Sequence, residues 1–116
     1  MVGTTSGSKY QWPQEADQPS EVRQVIALVR ESYPNFRWTR LRVTHVADDD
    51  RLWFFWLPDQ PGEVQIEPTF SPGLFLVETD KHDERFEGAT VEEVAQRVIA
   101  WLALPGGAEE PFWHPR

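Results

Sequence analysis

Cysteine is absent from this 116-residue chain. Its absence excludes a disulfide framework, a thiolate metal site and a cysteine nucleophile, and it suits a reducing cytosol. Long apolar runs are missing as well. None approaches the ~20 residues of a membrane-spanning helix, so no membrane partner is expected. Met1 to Lys9 lacks the basic and then apolar stretches of a secretory leader, and a cytoplasmic location is the expectation. There is no excess of positive charge: the formal net charge is -8 and the pI about 4.8. The basic footprint of a general nucleic-acid binder is therefore wanting, and no nucleic-acid partner is expected. The chain also lacks an HExxH pair, a GxSxG elbow, a P-loop and a GxGxxG turn. These gaps favour a protein that is not an enzyme, and no cofactor site is read from the sequence.

What the chain does have is aromatic side chains. Six Trp, seven Phe and two Tyr make up 13% of it. The densest stretch is Leu52-Trp53-Phe54-Phe55-Trp56-Leu57, closed by Pro58. A run of this length and composition predicts a central strand that is apolar on both faces. Helices can cover one face of such a strand. The other face then needs a second layer, a ligand or a partner.

Around that strand the chain divides into a flexible N-terminal tail (1–19), one α+β domain (20–104) and a C-terminal tail (105–116) that could dock on it. Gly3 to Ser8 bury too little apolar surface to offset ordering, whereas Tyr10, Trp12 and Pro13 could dock. Val22, Val25, Ile26 and Val29 recur at helical spacing and predict a first helix from Ser20 to Tyr33, with Ser20 as N-cap and Pro34 ending it. Strands are predicted over Trp38 to Val46, Leu52 to Leu57, Glu63 to Phe70 and Leu74 to Thr79. Short connections join them into a four-stranded antiparallel meander. Asp80 to Glu84 reads as a charged loop, with Arg85 to Glu87 as a brief extra strand at most. Thr90 and Glu93 form a capping box for a second helix reaching about Ala103. Both helices are expected on one face of the sheet.

Few residues suggest chemistry. Glu78, Asp80, His82, Asp83 and Glu84 are hard-cation ligands by type but not by spacing. Asp48, Asp49 and Asp50 point in different directions around a turn. No metal site is expected at either place. His45, His82 and His114 lie far apart in sequence, with no spacing that brings two together. The stronger anomaly is a surplus of aromatics beside arginine. Alternation along the first strand places Trp38, Arg40 and Arg42 on one face. A three-residue turn would set Arg42 opposite Trp56, with Phe54 in the same layer. A four-residue turn would bring up Trp53 and Phe55 instead. Arginine stacks well on such rings, and the pair is enriched in interface hot spots.

These features point to a non-catalytic protein-interaction module. It would self-associate as a homodimer or bind a protein partner through Trp38, Arg40, Arg42, Phe54 and Trp56. One alternative is a small-ligand binder or enzyme with a pocket between sheet and helix. Another is a small acidic inhibitor. In size and charge, though in no motif, the chain is similar to the class that includes the immunity proteins neutralising bacterial toxins.

Overall fold

The structure, a computed structural model, describes residues 14–41, 51–69 and 74–107. A short 3-10 turn, Glu15–Asp17, leads into helix α1, Ser20–Ser32. Five strands follow: β1 (Arg37–Arg40), β2 (Trp53–Trp56), β3 (Val64–Pro68), β4 (Phe75–Thr79) and β5 (His82–Gly88). Helix α2, Val91–Leu102, completes the fold. The class is α+β in helix, antiparallel sheet, helix order, as the patterning predicts, with one strand more than the four expected.

Local chemistry accounts for the helices. Val22, Val25, Ile26 and Val29 are fully buried along one stripe of α1. The N-cap position belongs to Pro19 rather than Ser20, and the Ser20 hydroxyl accepts from Gln24 Nε2 instead. Tyr33 leaves helical geometry because Pro34 follows it. At α2 the Thr90 hydroxyl accepts the Glu93 N–H at 3.1 Å. The Glu93 carboxylate accepts from Ala89, one residue before the cap, at 2.7 Å. Trp101, near the end of α2, is buried.

The strands run in the order β1-β2-β3-β4-β5, each antiparallel to its neighbour. The extra strand corrects the expected loop. Asp80 and Lys81 alone make the turn, His82 pairs back to Thr79, and Phe86 pairs with Val77. His82, Asp83, Glu84, Arg85 and Glu87 are all exposed, so this edge strand carries no apolar alternation to announce it. Charged edges of this kind resist pairing with other chains.

Residues paired across strands share a face. Arg40, Trp53, Ile66, Val77 and Phe86 form one row, and Trp38, Phe55 and Val64 the next. Trp53, Phe55, Leu57, Val64, Ile66, Phe75 and Val77 join the apolar stripes of both helices in a single core. Both helices therefore cover the same side of the sheet, in two layers. Within the core Phe36 stacks on Phe55 with ring centroids 5.9 Å apart, and Trp53 meets Phe75 edge-on at 6.4 Å.

Candidate partner-binding surface

The first hairpin decides which of the suspected residues meet. Its observed pairs are Arg37↔Trp56, Trp38↔Phe55, Thr39↔Phe54 and Arg40↔Trp53. The layer is the one the four-residue reading gave, with Trp53 and Phe55 beside Trp38 and Arg40, and not the three-residue reading that brought Trp56 and Phe54 there. The described part of β1 ends at Arg40, and the pairing of β2 is taken up by earlier residues than expected. Arg42 lies outside the described residues, as do His45 and Asp48 to Asp50.

This register splits the suspected surface. Trp38 and Arg40 share a face with Phe55 and Trp53, which is the side the helices cover. Phe54 and Trp56 face the other way. The expectation that all of them line one open face is thus corrected, because the odd or even parity of a hairpin register determines the side of every residue in it.

On the helix side Trp38 is half-buried against the core. The Arg40 guanidinium lies over the Trp53 ring, 4.8 Å from its centroid. Gln18 holds this arrangement from the segment before α1. Its Oε1 accepts the Trp53 indole N–H at 2.9 Å and lies 3.5 Å from an Arg40 nitrogen. Its Nε2 donates to the Gln14 carbonyl, and its own carbonyl accepts from Arg23 Nε. Gln18 is buried, and no periodicity in the sequence singles it out. The same segment is tied down by Glu15, which pairs with Arg30 at 2.8 Å. The hydrogen bonds from Arg30 hold the Glu15 carboxyl below its ordinary pKa, against a smaller opposing effect of burial.

The far side of the sheet changes character across its width. Toward β1 it is aromatic: Phe54 is fully buried, Trp56 half-buried, and Thr39 buried beside them. Toward β5 it is ionic. Gln65 donates to Glu78 at 2.9 Å, and Glu78 pairs with Arg85 at 2.9 Å. Phe54 is not part of the core that the helices close.

Charge is segregated in the same direction. Residues 14–41 are balanced, with four arginines against four carboxylates, and within them Phe36 to Leu41 holds Arg37 and Arg40 and no carboxylate. Residues 62–93 contain nine carboxylates against Lys81 and Arg85 alone. Arg37, which strand prediction from Trp38 onward leaves out, is exposed at the start of β1. It stands directly before Trp38 and on the same side as Trp56. A strand prediction begun one residue earlier would have found it.

The acidic side chains from Glu78 to Glu84 are accounted for by the fold. Asp80 accepts the Glu63 N–H at 3.0 Å, Glu78 bonds to Gln65 and Arg85, and His82 Nδ1 accepts the Glu84 N–H. Among the described residues no three His, Asp or Glu side chains are gathered so as to hold a metal ion.

No family model, curated protein or solved structure matches this chain. Fold and surface together define an α+β protein whose two layers leave an arginine-bearing strand at one edge of the sheet and an acidic strand at the other.

Proposed function

We propose that this chain is a non-catalytic protein-interaction module that engages a protein partner at the β1 side of its sheet. One observation carries this: strand β1 bears Arg37 and Arg40 and no carboxylate in a chain that is acidic as a whole, beside the half-buried Trp38 and Trp56. Arginine and tryptophan recur where interfaces concentrate their binding energy. Segregated charge also steers encounter and orients the partner. Arg37, Trp38, Arg40 and Trp56 are the contact residues among those described. A test is affinity capture from the native cell, paired with light scattering of the purified chain. A partner recovered in stoichiometric amount supports an interaction role. A catalytic turnover, or no partner under any native condition, would sink it.

A second role is favoured by the opposite end of the sheet. The nine carboxylates of residues 62–93 suit a small acidic inhibitor that meets a basic protein. Charge reversal at Glu84 and Glu87, both exposed on β5, separates the two roles. Loss of the captured partner in that variant would move the contact to the acidic end.

A further inference from the structure

We propose that the outer edge of β1, the end strand among the described residues, receives an extended, carboxylate-bearing segment of a partner protein as a sixth strand. This rests on the interaction role above and names the kind of partner it takes. The ladder of the first hairpin provides the geometry. Leu41 donates its N–H to the Leu52 carbonyl at 2.8 Å, one step beyond the Arg40↔Trp53 pair. Hydrogen-bonded and non-hydrogen-bonded pairs alternate along an antiparallel ladder. Thr39 and Arg37 therefore bond to Phe54 and Trp56, while the backbone N–H and C=O of Trp38 point away from β2. Among the described residues no strand lies on that side, because β1 is an end strand of the sheet.

Charge selects the occupant. Phe36 to Leu41 contains Arg37 and Arg40 and no carboxylate. A second copy of this chain is a poor guest there. Antiparallel pairing through the outward groups of Trp38 sets Trp38 against Trp38 and gathers Arg37 and Arg40 of both copies at one joint that holds no carboxylate of β1. Joining β1 to the acidic β5 edge of another copy would be a head-to-tail contact that propagates into a ring or a filament, which light scattering of the purified chain would reveal. A foreign strand with a carboxylate opposite Arg37 and an apolar residue opposite Trp38 satisfies both sides of β1. Main-chain bonds to Trp38 would supply affinity and the alternating side chains specificity, as in strand addition generally.

The experiment uses the full-length, isotope-labelled protein and a short end-blocked peptide alternating glutamate and valine. The expected result is a shift of the Trp38 amide resonance and slower exchange of its proton as the peptide is added. Arg37→Glu should keep the folded spectrum, weaken that peptide about tenfold and bind the lysine–valine counterpart better. A glutamate–valine peptide with proline at its central position should bind less well, because proline cannot donate to a ladder. Three results would overturn the proposal: binding that shifts residues elsewhere, affinity unchanged by Arg37→Glu, or a Trp38 amide already protected in the free protein. The last would mean that the edge is occupied by the chain itself or by a second copy. A cellular partner captured equally well by wild type and Arg37→Glu would remove the edge as the site and leave the broader interaction role standing.

Discussion

The Trp53 indole donates to the Gln18 side chain across 2.9 Å, tying the segment before α1 to the second strand of the sheet. Both residues are buried. A buried donor left without a partner costs about 1–3 kcal/mol. Gln18→Leu should therefore destabilise the protein by roughly that amount in urea unfolding. Trp53→Phe made in the Gln18→Leu background should cost less than in wild type. Strict additivity of the two changes would show that the bond contributes nothing.

Phe54 is the second test, because its burial is not explained by the helices. It lies on the side of the sheet away from them, between Thr39 and Gln65, and is fully buried. Phe54→Ala should cost about 3–5 kcal/mol, the range for a large side chain removed from a packed interior. Trp56→Ala, at a half-buried position on the same side, should cost less. Equal and small losses at both positions would show that this side is open to water in solution.

The contrast between these residues and the sequence patterns is instructive. Helical stripes were legible because burial repeats every three to four residues, and Thr90 with Glu93 marked the start of α2. The leading strand was legible because Trp53, Phe54 and Phe55 are all buried, whichever way each points. Register was not legible. It depends on where the β1–β2 pairing stops, and a shift of one residue moves every side chain to the other face. That is why Trp38 and Arg40 were expected on the open side and lie on the helix side. Strand β5 was hidden for another reason: an exposed edge needs charge, and charge in sequence reads as a loop. Gln18 gave no signal because its role is set by a contact 35 residues away.

Glycine at the end of α2 supports a third prediction. Gly106 and Gly107 both have positive φ, near 95°. A Cβ on Gly106 would meet nothing within 4 Å, whereas one on Gly107 would sit 2.5 Å from the Gly62 Cα. Gly106→Ala should show the backbone penalty alone, about 1 kcal/mol. Gly107→Ala should cost distinctly more, since backbone of the β2–β3 connection must also move. Thermal unfolding of the two variants side by side would decide this, and equal losses would count against the close approach.

Lys81 gives the last prediction, one of pH. Its ammonium is half-buried and donates to the Leu102 carbonyl at 3.1 Å, at the C-terminal end of α2. Partial burial lowers its pKa below the ordinary lysine value, and the nearby Asp80 charge opposes the shift without cancelling it. The unfolded chain therefore holds this proton more tightly than the folded one. Between the lowered pKa and the ordinary value of about 10.5, unfolding must take up a proton, so stability gains a term that rises with pH. Below that window the desolvation cost is present in full; above it the cost is gone. The gain is modest, because the side chain retains contact with water. Lys81→Met removes the titrating group, so its unfolding free energy should rise less steeply than that of wild type through this alkaline range. The Lys81 ε-methylene resonance should titrate below the pH at which the same group titrates in the unfolded chain. A folded-state titration above the unfolded one would show that the bond to Leu102 and the charge of Asp80 outweigh burial, and the sign of the pH effect would reverse.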